Sequence, residues 1–230
     1  MLYNQKILGI IPARGGSKGI LSKNLREMAG HPLISWVITK AKQSAYIDRL
    51  ILSSEDQHII ETAKRYGIEI PFIRPQSLAR DESTISEVIL HALDVISGFD
   101  YVVCLQPTTP LVIPEDIDGC IQKCISNKAP ACVTVTSPNK SPYWMCFLSA
   151  NDQILPLLGQ DYFKKRRQEL PNVYIPNGAV YIAQCDWFFN NKSFYSHETI
   201  GYVMPNERSI DIDTEMDLVI CEGILNGGMK

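Results

Sequence analysis

Two short stretches of this chain hold residues whose types and spacing could do chemistry. The first is IIPARGGSKGILSKN, residues 10–24, where an apolar run is followed at once by Gly15 and Gly16 and by the cations Arg14, Lys18 and Lys23. Glycines let a backbone approach a ligand closely and aim amide N–H groups at it. Guanidinium and ammonium groups neutralise phosphate oxygens. The stretch therefore reads as a phosphate-binding loop, with an ordinary basic turn between strand and helix as the other reading. It is not a P-loop, because Lys18 precedes Gly19 instead of following a glycine, and GGSKG lacks the opening GxG of a dinucleotide fingerprint. The second stretch is SIDIDTEMDL, residues 209–218. Asp211 and Asp213 stand two apart, which on an extended strand puts both carboxylates on one face and makes a competent pair for a divalent cation. They precede Thr214-Glu215, so capping acids for a following helix are the alternative.

Another Asp-x-Asp, at Asp116 and Asp118, acts as a control. It follows Pro114-Glu115 at a helix start, where acids favour the helix dipole and residues two apart diverge. A structural role is expected there. The basic run KKRR at 164–167 reads either as a binding element or as a solvated or localisation patch.

The elements that must position these residues alternate along the chain. KILGII, RLILSS, IEIPFI, YVVCLQ and ACVTVTS are short continuous apolar runs. Between them lie helical patterns, PLISWVITKAKQSA, EDQHIIETAKRYG, STISEVILHALDVI and PEDIDGCIQKCISN. That rhythm predicts an α/β fold with a mostly parallel sheet and helices on both faces. Residues 12–24 then fall beyond the carboxyl end of the first strand, where open α/β sheets bind ligands. Pro32 and Pro114 mark helix starts, Ser54 or Glu55 can cap the second helix, and Gly67 closes it. Residues 138–176 break the rhythm with five prolines, exposed-looking aromatics and KKRR. The expected organisation is a core of residues 1–137 and 177–230 with 138–176 projecting from it. Such a segment is a surface for self-association or a mobile lid. VYIPNGAVYIA resumes a strand, and TEMDLVICEGIL ends the chain in a helix.

Composition narrows the function classes. The 230 residues carry a net charge of −3, which argues against a nucleic-acid binder. No apolar run reaches the roughly 18–20 residues of a membrane span. The amino terminus lacks a signal peptide's basic start and cleavage site. Seven cysteines without CxxC pairing read as reduced, mostly buried thiols of a cytoplasmic protein, and four scattered histidines give no zinc-like spacing.

The loop at 10–24, with LQPTTPL at 105–111, RRQELPNVYIPNGAVYI at 166–182 and SIDIDTEMDL at 209–218, resembles the CMP-sialic acid synthetase (acylneuraminate cytidylyltransferase) family, which includes CMP-legionaminate synthetases. The match runs from about residue 6 to residue 225, in the family's order and spacing. It implies a nucleotidyltransferase-type fold and a homodimer whose projecting segment crosses onto the partner, so that the site is shared between chains. It implies that CTP and a nine-carbon 2-keto sugar acid give a CMP-sugar and pyrophosphate, with Mg²⁺ as cofactor and Mn²⁺ as a substitute. Residue by residue, Arg14, Lys23 and Asn24 match the triphosphate loop, with Gly16, Ser17 and Lys18 in the same turn. Arg74 and Ser83, in RPQSLARDEST, match nucleotide contacts. Gln106 matches a position near both substrates, Arg167, Asn177 and Gly178 match the sugar-acid side, and Asp211 and Asp213 match the metal pair. Two departures stand out. Leu21 occupies a position where the family commonly has proline, and Tyr174-Ile175-Pro176 stands where some members place an arginine before PNG.

The implied chemistry needs positioned charge more than covalent catalysis. Arg14, Lys18 and Lys23 would drain charge from the pyrophosphate leaving group. Arg167, preferred over Arg166 because it directly precedes Gln168, would meet the partner's sugar carboxylate with a planar guanidinium. No histidine falls in a matched motif. The proton of the anomeric hydroxyl is left to a metal-lowered pKa or to Asp211 through water. N-acetylneuraminate, legionaminate and pseudaminate remain open as acceptors, with GGSKGI and SPYW at 141–144 leaning away from pseudaminate by analogy. Two alternatives are a CMP-3-deoxy-octulosonate-type synthetase, against which RRQELP and PNG speak, and an inactive nucleotide-binding regulatory relative.

Overall fold

Apolar runs flanked by capping and turn residues fold here into alternating strands and helices, as a computed structural model shows for residue 2 and residues 4–17 and 19–227. The strands are β1 (Ile7–Pro12), β2 (Glu27–Met28), β3 (His31–Pro32), β4 (Arg49–Ser53), β5 (Tyr101–Leu105), β6 (Ala131–Thr136), β7 (Cys146–Leu148), β8 (Ile154–Pro156), β9 (Ile175–Gln184) and β10 (Ile200–Val203). The helices are α1 (Leu33–Ala41), α2 (Gln57–Arg65), α3 (Ile85–Val95), α4 (Pro114–Ser126), α5 (Cys185–Asn191) and α6 (Glu215–Gly227). The main sheet has the order β10-β6-β9-β5-β1-β4. It is mostly parallel, as expected, with β9 inserted antiparallel between β5 and β6.

Both faces of the sheet are covered. One face packs Ile7, Ile11, Leu52, Val103 and Ile182 under α1, α2 and α4. The other packs Leu8, Ile10, Val102 and Ala183 against α3 and α5. Runs such as ILGIIP are buried at every position because each face has its own helical layer. A smaller third cluster joins Ile20 of the glycine loop, Met28, Leu33, Leu111, Ile212, Leu218 and Cys221.

Local signals explain most boundaries. Gly67 adopts φ +71 just after α2, and Pro114 opens α4. The cap of α2 is Asp56, not Ser54 or Glu55: its side chain accepts from Ile59 N at 3.0 Å. IEIPFI is not a strand. It makes one parallel bridge, Ile51 to Glu69, and then meets Pro71, which has no N–H to offer a ladder. All seven cysteines are free thiols, and only Cys146 is exposed among them.

Within 138–176, β7 and β8 pair with each other as an antiparallel hairpin apart from the main sheet. Phe147, Leu148 and Ile154 are 63%, 67% and 61% exposed there, so the hairpin buries little of its own apolar surface. Among the described residues, no helix is long and apolar enough to cross a membrane.

Candidate active site

The loop after β1 leaves the sheet at its carboxyl edge, where Ala13 N donates to Ser53 O at the end of β4. From there Arg14 reaches across a cleft, donating to Arg80 O at 3.1 Å and pairing with Asp81 at 3.0 Å. Asn24 is buried and ties the loop's two ends together by donating to Arg14 O at 2.9 Å. Ser22 takes a left-handed conformation, with φ 52, and Leu25 N and Arg26 N both donate to its carbonyl. The turn is thus closed without proline, and Leu21 is exposed. Lys18 lies outside the described residues.

The aspartate segment arrives from the opposite end of the chain. Ile212 is buried in the same cluster as Ile20, and its N–H donates to Thr108 O at 2.8 Å. This anchors the segment between Asp211 and Asp213. Residues 209–213 form no assigned strand, so the shared strand face expected from their spacing gives way to this anchored extended run. Lys23 Nζ donates to Ile212 O at 2.6 Å and to Asp213 Oδ1 at 3.1 Å. Gly19 passes so close that a Cβ there would meet Asp213 O at 2.5 Å. The glycine loop and the aspartates are therefore in direct contact.

The two carboxylates differ sharply. Asp213 is 77% exposed, whereas Asp211 is mostly enclosed and its Oδ1 is buried without a hydrogen-bond partner among the described residues. Burial raises the Asp211 pKa above the ordinary carboxylate value. The charges of Asp213 and Asp217 add to this, while Thr108 and Lys23 oppose it. Gly178 has φ +78, and a Cβ on it would lie 2.9 Å from Asp211 Oδ2. Only glycine suits that spot on both counts. Asp217, unnoticed from sequence, caps α6 by accepting from Asp213 N, Thr214 N and Thr214 Oγ1.

A cleft of about 530 Å³ is lined by Arg14, Ser17, Lys23, Asn24, Arg74, Ser83, Gln106 and Asp213. Leu78, Ile85, Val88 and Pro107 give it an apolar end. Gln106 donates to Tyr181 OH at 3.3 Å, and Ser83 donates to Ser77 O at 3.0 Å. Arg74 is buried, with its Nε and Nη2 held by Glu55. Gly16, Asn177, Gly178, Asp211 and Arg167 are not among the cleft's lining residues. Asn177 is buried and faces inward, donating to Ser209 Oγ at 2.9 Å and accepting from Ala179 N at 3.2 Å. Its side chain ties β9 to the aspartate segment. Arg167 lies within residues 138–176, beside Pro138, and lines a separate depression with Ser141, Pro171 and Asn172. A larger cavity of about 720 Å³, lined by Gln5, Asp100, Tyr101 and Gln184, sits at the opposite end of the sheet. None of the sequence-derived site residues reaches it.

The control pair behaves as expected. Asp116 faces Arg208, and Asp118 accepts from Ser44 Oγ and Ala45 N on the other side of α4.

Comparison with known proteins bears out the class. A solved structure of CMP:2-keto-3-deoxy-manno-octonic acid synthetase complexed with CTP matches with a TM-score of 0.74. The match covers 97% of this chain and 100% of that one at 16% sequence identity, a likeness of fold: a nucleotidyltransferase-type α/β sheet. The chain is 34% identical over 218 residues to a pseudaminic acid cytidylyltransferase of Campylobacter jejuni, 93% of each being covered. It is also 34% identical over 229 residues to a CMP-N,N'-diacetyllegionaminic acid synthase of Legionella pneumophila, with 96% of each covered. Residues 8–152 match the family model described as Cytidylyltransferase. The chain belongs to the cytidylyltransferase family and is a nucleotidyltransferase.

Proposed function

We propose that this chain transfers the cytidylyl group of CTP to a nine-carbon 2-keto sugar acid. The anomeric oxygen attacks the α-phosphorus, the bond from that phosphorus to the bridging oxygen breaks, and pyrophosphate leaves with the electron pair. The observation that carries the reading is the bridge from Lys23 to Asp213 and Ile212 O, which joins the glycine loop to the aspartate segment beside a cleft that Lys23 and Asp213 both line. The names of relatives covering nearly the whole chain support the substrate class.

Arg14, Lys23 and the loop amides of Gly16 and Ser17 hold the β- and γ-phosphates in this reading. Losing one such preorganised contact costs about 10²–10³ in rate. The apolar end near Ser83 and Val88 takes the cytosine, and Gln106 lies between nucleotide and sugar. Arg14 must exchange Asp81 for phosphate when CTP enters.

The carboxylates fit a hard divalent cation. Asp211 Oδ1 is a buried oxygen without a partner among the described residues, and one or two carboxylates plus phosphate oxygens suffice for Mg²⁺. Asp211 and Asp213 would hold Mg²⁺, or Mn²⁺ in its place, which supplies charge neutralisation at the phosphates and acidifies the attacking hydroxyl. Burial raises the Asp211 pKa, which suits this carboxylate to take the anomeric proton through water.

The hairpin's exposed Phe147, Leu148 and Ile154 support a homodimer in which the 138–176 segment of one chain packs on its partner. Arg167 then completes the partner's sugar site beside Gly178.

Pyrophosphate release from CTP tests the reading, with N-acetylneuraminate, legionaminate and pseudaminate as acceptors and with Mg²⁺ present or chelated. Turnover with one of them, dependent on the cation, is expected. The pseudaminic and legionaminic relatives are equally similar at 34%, so the panel includes both. An eight-carbon acid as the sole acceptor would overturn the substrate class.

A further inference from the structure

The corner between β4 and α2 presses directly on the phosphate loop. Glu55 Oε1 accepts from Gly15 N at 2.7 Å. Glu55 Oε2 accepts from Arg74 Nε at 3.0 Å and from Arg74 Nη2. The same Nη2 donates to Ala13 O at 2.8 Å. Residues 13 and 15, on either side of Arg14, are thus fastened to one ion pair whose side chains are 7% and 3% exposed. Arg74 is itself held by its backbone N–H to Ser54 O at 2.9 Å. Gly15 has no freedom in the other direction, since a Cβ there would lie 2.3 Å from Asp56 Oδ2. Asp56 cannot retreat without losing its cap on α2.

A carboxylate inside an anion-binding loop would repel phosphate if it stood alone. Paired with Arg74 it contributes geometry at no net charge, and breaking the pair leaves a buried charge uncompensated. We infer that Glu55 is a positioning residue for the triphosphate loop, and that Arg74, which also lines the cleft, supports that loop through Glu55 and Ala13. The inference rests on the cytidylyltransferase reading for the identity of the anion. To the assignment of Arg74 as a nucleotide contact it adds a loop-holding role made through Nε and Nη2.

Calorimetric titration of the full chain with pyrophosphate, and separately with CMP, distinguishes the two roles. Pyrophosphate engages the loop without the base, whereas CMP carries the base without the β- and γ-phosphates. Glu55→Gln keeps the shape and removes the charge, and is expected to weaken pyrophosphate binding by about tenfold to a hundredfold, a small displacement of a positioning group being that costly. CMP binding should change by less than about threefold, since contacts distant from the change keep their energies. Glu55→Asp keeps a charge beside Arg74 while withdrawing it from Gly15 by one methylene, and should give the same split if the glutamine variant fails to fold. Unchanged pyrophosphate affinity in the folded variants, or equal losses for CMP and pyrophosphate, overturns the inference. So does a wild-type chain without affinity for pyrophosphate. A wild-type chain that binds pyrophosphate but turns over no sugar acid removes the proposed substrate and leaves the split as the test of Glu55.

Discussion

Asp211 is where burial and charge meet most directly, and its consequences can be measured without substrate. Its folded-state pKa is raised above the unfolded value by burial. Folding therefore takes up a proton between the two values, and stability falls as pH rises through that interval. Below about pH 4, the ordinary carboxylate range, the acid is neutral in both states and imposes no penalty. Above its raised pKa it is ionised in an enclosed position. In chelator, Asp211→Asn should then raise the melting temperature, by about 2–4 °C for each kcal/mol of desolvation relieved. The gain should vanish as pH falls toward about 4. Added Mg²⁺ should raise the melting temperature of the wild type and leave the variant unmoved. Differential scanning calorimetry across this pH range reads both effects, and equal melting temperatures at neutral pH would show that the carboxylate is not desolvated.

At the scale of elements, the segment from β10 to α6 is tied to α4 by an ion pair whose carboxylate is buried. Arg208 donates from Nε and Nη2 to the two oxygens of Asp116 at 2.8 and 2.9 Å, and the Asp116 side chain is only 2% exposed. Arg208→Met strands that carboxylate and should cost about 3 kcal/mol. Urea unfolding measures this as a lower midpoint at unchanged slope. Because Ser209 follows directly and holds Asn177, the same variant should raise the Mg²⁺ concentration needed for half-maximal activity. A variant as stable as the wild type would mean that water already satisfies Asp116.

The same elements show what could be read beforehand. The helices with clear periodicity and the buried strands β1, β4, β5 and β6 were legible because each signal is local. Asp116 and Asp118 were legible as structural acids because a helix start dictates their use. The antiparallel insertion of β9 was not, since strand order depends on contacts about 80 residues apart, such as Val103 with Ile182. Residues 184–208 gave no reading, although α5 and β10 lie there. Glu55 was read as a cap because its neighbours look like helix-start residues. Its true partners, Gly15 and Arg74, are 40 and 19 residues away. Asn177 sits in a site motif, yet its amide serves the fold.

For the whole molecule, the proposed shared site makes a quantitative demand. A Lys23→Ala chain has a damaged core and an intact arm, and an Arg167→Ala chain the reverse. Each alone should be nearly inactive. Unfolded and refolded together, half of the dimers pair one of each and hold one intact site, restoring about a quarter of wild-type activity. Phe147→Asp should yield monomers by sedimentation equilibrium. An active monomer would end the idea of a site spanning two chains.

The late position of β9 has a bearing on how this protein is made. Its ten residues are the wedge between β5 and β6, and they leave the ribosome after some 40 further residues have followed β6. Until then both neighbours present bare backbone edges, the feature most prone to stray pairing. A chaperone that shields extended backbone should bind nascent chains arrested before residue 175 and release those that extend past residue 184.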